Sequence, residues 1–213
     1  MASDRVRPLT LETFPAWRAL AQKHNGVWGG CYCSYFHGDT EQTVKSEFDR
    51  PTFKERLVAE GVAHAALVFD GDDAIAWCEY GSPVELPNIY HRKEYDAAEA
   101  APAPWRITCF FVDRDHRRAG VAREALDGAL DLIAQAGGGE VVSFPNEPEE
   151  GKKTSSSFLH NGTRAMFEKA GFTFERQLGK RKTVMRITIP PAIGATGQAV
   201  PRAGVRDGPE SAS

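Results

Sequence analysis

An apolar run at residues 107–112 leads, after a short loop, into a helical pattern at residues 121–136. An apolar run of this length is typical of a strand that is buried on both faces in the centre of a sheet. The helical pattern keeps its apolar residues, among them Leu126 and Leu130, on one stripe, and the three glycines at 137–139 end it. We therefore expect a central sheet with at least one covering helix.

The patterns on either side of this unit add strands and helices in mixed order. Residues 63–69 and 74–80 are apolar runs separated by Asp-Gly-Asp-Asp, which predicts a hairpin. The other predicted elements are helices at 10–23 (with Thr10 as N-cap), 45–60 and 163–170, an irregular or partly helical connection at 84–105, and strands at 141–144, 172–176 and 183–189. This order predicts an α/β fold with a mixed sheet, and excludes a doubly wound one.

The composition of the chain changes at Pro190. From there to Ser213 the segment is dominated by Pro, Gly and Ala and contains no aromatic residue. Such a segment cannot bury enough surface to become ordered. We predict one domain over residues 1–189 and a disordered tail over residues 190–213.

The charge and the cysteines limit the partners and the compartment. Lys plus Arg is 26 and Asp plus Glu is 29, which leaves a net charge of −3; a nucleic-acid or anionic-membrane binder would need a basic surplus. No apolar run approaches the ~18 residues of a membrane span, and the charged N-terminus does not fit a signal peptide. We therefore expect a cytoplasmic protein without nucleic-acid or membrane partners, with reduced thiols at Cys31, Cys33, Cys78 and Cys109.

The loop between the central strand and its helix carries an unusual charge. Arg117 and Arg118 lie at the helix N-terminus, where the macrodipole favours anions. A bound anion would explain this placement, because free backbone N–H groups and guanidinium groups could hold it together. Gly120 would let the backbone approach such a ligand. The alternative is a solvated turn in which Asp113 and Asp115 neutralise the two arginines.

Two motifs resemble those of the GNAT superfamily of acyl-CoA-dependent N-acyltransferases. Arg117-x-x-Gly120-x-Ala122 after a strand resembles the family's Gln/Arg-x-x-Gly-x-Gly/Ala signature. The segment Ala-Met-Phe-Glu-Lys-Ala-Gly-Phe at 165–172 resembles its last helix and the exit into a strand. The element order over about residues 7–189 is also similar. The resemblance implies a mostly antiparallel sheet that is splayed at the acyl-CoA site and flanked by helices.

The resemblance also implies an activity and a set of binding residues. The activity is transfer of acetyl from acetyl-CoA, as acyl donor and without a metal, to a primary amine of a small molecule or peptide, and a homodimer is compatible with the resemblance. The pantetheine would follow the central strand beside residues 141–144, and the Val112 N–H would polarise the thioester carbonyl and hold the oxyanion. The implied coenzyme A-binding residues are Phe111, Val112, Arg117, Arg118, Ala119, Gly120, Val121 and Ala122.

The chain departs from the family pattern where the acid and base are expected. Phe167 fills the slot that often holds a tyrosine acid, and Trp105 and Arg106 stand where some members have a base carboxylate. We therefore consider Glu79 as general base and Tyr80 as the residue that returns a proton to the thiolate, with His37 and His160 as alternative bases. Each of these could instead be a surface, rim or core residue. A non-catalytic module that binds or senses acyl-CoA is the alternative function.

A glycine- and aromatic-rich loop at residues 26–39 is the candidate acceptor site. Aromatic side chains in a loop on a rigid scaffold often line binding sites, although a hydrophobic plug is an alternative. The spacing Cys31-x-Cys33-x3-His37 also raises the possibility of zinc, but it matches no common ligand pair, and we expect no metal. The residues predicted to contact the acceptor are Trp28, Cys31, Tyr35 and Phe36.

Overall fold

The computed structural model of the chain describes residues 4–27, 29–38, 49–98, 101–148, 155 and 158–194. In these ranges the helices are α1 (Phe14–Lys23), α2 (Arg50–Ala59), α3 (Arg92–Ala98), α4 (Val121–Gln135) and α5 (Arg164–Lys169). The strands are β1 (Val6–Pro8), β2 (His64–Asp70), β3 (Asp73–Gly81), β4 (Trp105–Val112), β5 (Gly139–Ser143), β6 (Thr173–Leu178) and β7 (Lys182–Ile189). Short 3₁₀ helices lie at Tyr35–His37, Arg114–His116 and Phe158–Asn161.

The strands form one sheet in the order β1-β2-β3-β4-β5-β7-β6. Every neighbouring pair is antiparallel except β4 and β5, which are parallel. This confirms the predicted α/β fold with a mostly antiparallel mixed sheet. The edge strand β1 was not predicted, because its three residues are too short for a periodic pattern.

The two parallel strands separate soon after they meet. Their register runs from Trp105 opposite Val141 only to Ile107 opposite Ser143, where β5 ends, while β4 continues to Val112. An extra residue in β4 accompanies the separation, because two steps along β3 correspond to three along β4 between the pairs Cys78–Phe110 and Tyr80–Ile107. Bulges of this kind bend a strand and are frequent beside active sites.

Helices cover both faces of the sheet. On one face α4 lies across β2, β3 and β4, and a Cβ at Gly128 would overlap Val6, so glycine permits the close approach of α4 to β1. On the other face α1, the 26–38 loop and α2 enclose a second apolar cluster that includes Trp17, Trp77 and Phe111. The sheet is therefore buried on both sides around β3 and β4, as the apolar run of β4 predicted.

Several predicted boundaries need correction. Helix α1 begins at Phe14 with Thr13 as N-cap, and Thr10 is wrong as the cap: the Thr13 hydroxyl accepts from the Thr10 N–H at 2.9 Å and donates to the Pro8 carbonyl at 2.8 Å, which keeps residues 10–13 in a turn. Helix α2 is capped by Asp49, which accepts from the Thr52 N–H at 2.8 Å. Most of the predicted start of this helix at residue 45 lies outside the described residues.

The long connection at 84–105 is partly helical, as predicted, because α3 lies within it. Of the predicted tail, only residues 190–194 are described, and the Ala192 N–H donates to the Ala134 carbonyl at the end of α4 over 2.8 Å. The division into a domain and a tail stays a prediction. Within the described ranges, no helix is long and apolar enough to cross a membrane.

Candidate active site

A cavity of about 360 Å³ opens where β4 has separated from β5. Its inner wall is apolar and is formed by the end of β4, the start of α4, and the segment before and within α5. Its mouth is basic, and no Asp or Glu is among its lining residues. The cavity is lined by Phe110, Phe111, Val112, His116, Arg117, Arg118, Gly120, Val121, Ala122, Arg123, Leu159, Gly162, Thr163 and Met166.

The backbone at the start of α4 has an unusual conformation. Gly120, the N-cap, has φ of 80°, and Arg118 has φ of 64°, which is uncommon for a residue with a side chain. Left-handed residues in such a turn point N–H groups into a concavity that binds anions, and the first N–H groups of a helix have no intrahelical partner. This stretch is therefore suited to hold a phosphate group.

The Val112 backbone faces the opening between the strands. The next residue, Asp113, donates its N–H to the Ile75 carbonyl on β3 at 2.8 Å. Since successive residues of a strand turn their N–H and C=O groups to opposite sides, those of Val112 point away from β3. In agreement, the Val112 carbonyl accepts from Arg117 Nε at 3.3 Å. The Val112 N–H is thus directed to the side that β5 has left.

Asp113 anchors the loop that carries the arginines. Its buried carboxylate accepts from Lys23 Nζ at 2.6 Å and from the Asp115 N–H at 3.1 Å, and lies 3.3 Å from His24 Nε2. Burial would raise the pKa of Asp113, but these hydrogen bonds outweigh it and lower the pKa to about 2. Asp113 is therefore paired with Lys23. It does not form an ion pair with Arg117 or Arg118, as the alternative of a solvated turn would require.

The structure brings together most of the predicted coenzyme A-binding residues. Of the eight, only Ala119 is outside the cavity lining and is exposed. The sequence analysis did not predict seven further lining residues: Phe110 on β4, His116 and Arg123, which flank the motif, and Leu159, Gly162, Thr163 and Met166, which precede or open α5. The position of the last four residues at the start of α5 could have indicated that they line one common surface. Nothing local in the sequence shows that this surface packs beside β4.

Glu79 lies in a buried polar cluster on the α2 side of the sheet. Its Oε1 accepts from Lys54 Nζ at 2.7 Å and its Oε2 from the Thr108 hydroxyl at 2.9 Å. Burial would raise its pKa, but the charge of the adjacent Lys54 outweighs it and lowers the pKa to about 2. A carboxylate held ionised and 1% exposed is a poor proton acceptor, so the interpretation of Glu79 as general base needs correction.

His37 completes the same cluster. Its Nδ1 lies 2.9 Å from the Glu85 carbonyl and its Nε2 lies 2.9 Å from Lys54 Nζ. Both contacts are satisfied when a neutral ring donates from Nδ1 and accepts at Nε2. Burial, followed by the charge of Lys54, lowers the pKa of His37. The side chain is 2% exposed, so His37 belongs to the support of the sheet.

Tyr80 also needs correction as a proton donor. It is buried in the α4-side core, its ring is stacked on His64 with centroids 5.6 Å apart, and it is not among the residues lining the cavity. Burial raises the pKa of its hydroxyl well above the ordinary value. The register of β3 turns Tyr80 to the face opposite Glu79, which alternation along a strand requires.

The predicted acceptor loop contributes to an aromatic cluster formed by Tyr35, Phe36, Tyr90 and His160. Tyr35 stacks on Tyr90 with centroids 5.3 Å apart, and the centroids of Tyr90 and His160 are 5.6 Å apart. Phe36 is buried beneath them, Tyr35 is half-exposed, and Cys31 is partly exposed beside them. Trp28 lies outside the described residues. The loop therefore combines the partly exposed ring of Tyr35 with the buried ring of Phe36, and its contact with an acceptor stays a prediction.

The zinc possibility at this loop finds no ligand set. The Cys33 thiol lies 3.0 Å from the Cys109 thiol and accepts from Trp77 Nε1 at 3.1 Å, and His37 is engaged as described above. In the part of the chain that the structure describes, no group of three or more His, Cys, Asp or Glu side chains could hold a metal ion.

A second buried lysine lies at the start of β7. Lys182 is 8% exposed, and its Nζ donates to Asn161 Oδ1 at 2.7 Å and to Asn146 Oδ1 at 2.9 Å. The sequence analysis did not single it out as a site residue. Its burial could have been predicted, because Lys182 lies two residues before Val184 and therefore on the same strand face, and Val184 is fully buried.

No protein-family model matches this chain, and no curated protein does. Solved structures of acetyltransferases do resemble it. One is an acetyltransferase of the GNAT family from Streptococcus agalactiae, with 9% identity, 86% of this chain and 95% of that chain covered, and a TM-score of 0.47. Another is the acetyltransferase from Thermus thermophilus, with 14% identity, coverage of 88% and 99%, and a TM-score of 0.46.

A third is the ribosomal-protein-S18-alanine N-acetyltransferase from Escherichia coli, with 15% identity, coverage of 88% and 94%, and a TM-score of 0.43. These likenesses concern the fold alone, so the function has to be inferred from the geometry of the cavity.

Proposed function

We propose that this protein is an N-acyltransferase that moves acetyl from acetyl-CoA to a primary amine of a small molecule or peptide. The observation that carries the proposal is the cavity itself, which joins a basic mouth at a helix start to an apolar channel between the end of β4 and the segment that leads into α5. Acetyl-CoA has the matching chemistry, since anionic phosphates precede an extended, weakly polar pantetheine arm.

The residues around the cavity fit this ligand. The N–H groups from Arg118 to Ala122, with the guanidinium groups of Arg117 and Arg118, would hold the pyrophosphate. The apolar wall would receive the pantetheine arm, and the Val112 N–H would donate to the thioester carbonyl and to the oxyanion that develops from it. One such donor contributes about 2.7–4 kcal/mol in related chemistry. The ligand supplies the activated acyl group, and the chain supplies orientation and electrostatics.

Positioning can account for much of the rate. Holding two reactants in a reactive geometry can contribute ~7–11 kcal/mol without any acid or base. The aromatic cluster lies beside the cavity. His160 of this cluster belongs to the 3₁₀ helix Phe158–Asn161, and Leu159 of the same helix lines the cavity. We propose this cluster as the surface that the acceptor amine approaches, with Tyr35 and Cys31 at its accessible edge.

The test is a pair of variants that differ only in charge. Gly120→Asp and Gly120→Asn are nearly isosteric, both are tolerated better than most residues at positive φ, and a Cβ at Gly120 meets nothing within 4 Å. Calorimetric titration with acetyl-CoA should show Kd at least about tenfold higher for Gly120→Asp, because like charges near a protein surface repel by up to ~4 kcal/mol at 4 Å. Equal affinities of the two variants would remove the phosphate site from the proposal.

A non-catalytic acyl-CoA-binding module is the second candidate. It is favoured by the fully buried Phe167 in the slot of the expected tyrosine acid and by the sequestration of Glu79. Release of free thiol from acetyl-CoA, measured across a panel of primary amines, separates the two candidates. Release that depends on an added amine supports the transferase, whereas tight binding without release on any amine supports the module.

A further inference from the structure

Lys182 is a buried cation whose contacts are all neutral. Its Nζ donates to the amide oxygens of Asn146 and Asn161 and lies 4.7 Å from the centre of the Tyr90 ring. Among the described residues, no carboxylate pairs with it. Lys54 differs in this respect, because its ammonium is also buried but is paired with the Glu79 carboxylate at 2.7 Å. Among the described residues, the Lys182 ammonium is thus buried without a carboxylate partner, whereas Lys54 has one.

An uncompensated buried charge is costly, and buried groups with shifted pKa values are concentrated at functional sites. Burial lowers the pKa of Lys182 to about 8. The ammonium is therefore a stronger acid than an exposed lysine, and it still carries its proton at neutral pH. A group of this kind can give up a proton to a basic atom beside it and can be reprotonated afterwards.

The asparagines place Lys182 directly behind the cavity wall. Asn161 precedes Gly162, which lines the cavity, and its Nδ2 donates to the Thr108 carbonyl at 2.5 Å, just past the last β4–β5 pair. Asn146 forms a bridge with Thr163, which also lines the cavity. On its other side Lys182 meets Tyr90 of the aromatic cluster. The ammonium thus lies behind the lining of the donor cavity, of which it is not itself part, and next to the proposed acceptor surface.

We propose that Lys182 stabilises and protonates the thiolate that leaves in acyl transfer. This inference rests on the proposed function and assigns the acid that Phe167 cannot supply. Lys182 gives one N–H proton to the sulfur, so an S–H bond forms as the N–H bond breaks and the lysine becomes a neutral amine. The acceptor nitrogen loses one proton when it is acylated, and Lys182 regains one through solvent, so protons balance over the cycle.

Other titratable groups surround this ammonium. Tyr90 faces it from the aromatic cluster, and His160 lies against Tyr90 with ring centroids 5.6 Å apart. Glu147, next to Asn146, is paired with Arg164 at 3.0 Å, and Glu79 lies beyond Thr108 and is held by Lys54. The remaining neighbour on the strand turn is Arg181, whose guanidinium lies 5.9 Å from the Phe158 ring centre. Both of these carboxylates are thus engaged with other cations.

The first experiment needs no acceptor and no turnover. The thiol of bound coenzyme A is titrated by the ultraviolet absorbance of its thiolate, with free coenzyme A as reference. An ammonium beside the sulfur should lower the thiol pKa by about one unit or more. Lys182→Met should abolish the shift, Lys182→Arg should retain it, and Lys180→Met, an exposed lysine in the same hairpin, should behave as wild type. A bound thiol with the pKa of free coenzyme A in the wild type overturns the inference, whether or not the variants fold.

The second experiment separates this inference from the proposed function. Lys182→Met and Lys182→Gln should bind acetyl-CoA with Kd within about twofold of wild type, yet turn over at least about tenfold more slowly on any amine that the wild type acetylates. The fall of the wild-type rate above about pH 8 should be absent in these variants. If wild type fails to bind acetyl-CoA, the proposed function fails; if it binds and transfers acetyl but the variants match it in rate and pH profile, only the role of Lys182 fails.

Discussion

Lys54 donates from Nζ to Glu79 Oε1 over 2.7 Å, and both side chains are 1% exposed. The pair links α2 to the centre of β3, and Thr108 extends it to β4 next to the bulge. The Glu79 carboxylate therefore connects α2, β3 and β4 through its hydrogen bonds. The chemistry of the site is therefore expected at the cavity and at Lys182, and Glu79 is expected to govern stability.

Loss of one partner of this pair should cost more than loss of both. Lys54→Met strands the Glu79 carboxylate and should lower the free energy of unfolding by about 3–5 kcal/mol. The double variant Lys54→Met/Glu79→Gln should recover part of that loss, because no buried charge remains unpaired. Urea unfolding of the four members of the cycle measures this, with Lys93→Met as an exposed control. Additive effects in the cycle would contradict the coupling.

The pair also predicts how stability depends on pH. The pKa of Glu79 is about 2 in the folded protein against an ordinary value of 4.5. The contribution of the Glu79 carboxylate to the free energy of unfolding is therefore complete above about pH 5, and it is lost as the pH falls from 4.5 through 2. The difference in unfolding free energy between wild type and Glu79→Gln should shrink across that window. A difference that stays constant from pH 6 to pH 2.5 would refute the assigned direction.

Gly162 should be required for the shape of the cavity. It has φ of 74°, and a Cβ there would lie 2.7 Å from Met166 and 2.9 Å from Phe167. Gly162→Ala should lose about 1–2 kcal/mol from backbone strain and about 1–3 kcal/mol from overpacking, and should weaken acetyl-CoA binding. Gly61→Ala is the matched control, since Gly61 has φ of 70° and open space around it. If both variants bind acetyl-CoA equally well, Gly162 does not shape the site.

The contact between Lys23 and Asp113 should tune donor affinity from outside the cavity. Neither residue lines the cavity, but both hold the loop that positions Arg117 and Arg118. Asp113→Asn should raise the Kd for acetyl-CoA about three- to tenfold, which corresponds to the loss of one or two net hydrogen bonds. Asp96→Asn breaks an exposed ion pair on α3 and should leave Kd unchanged. Unaltered affinity of Asp113→Asn would mean that the loop keeps its shape without this anchor.

Local patterns predicted the elements well where neighbours along the chain decide the conformation. The apolar run is β4, and the helical stripe is α4. Arg117, Arg118 and Gly120 lie together at the mouth of the cavity, because a helix start and the loop before it form one continuous segment. Errors came where tertiary contacts intervene. Thr10 had the right side chain for a cap, but Thr13 donates to the carbonyl of Pro8 at the end of β1 and is the N-cap instead.

The sequence by itself determined the mixed α/β class, the central strand and the basic helix start, since hydrophobic periodicity and capping chemistry are local. Only the tertiary structure decided which polar side chains are buried and with whom. Glu79 meets Lys54 across 25 positions of the chain, and Lys182 meets Asn146 across 36. Those meetings depend on the bulge in β4 and on the point where β5 leaves it. Strand register, which no short window of residues encodes, thus decides which buried charge is neutralised and which lies behind the cavity wall.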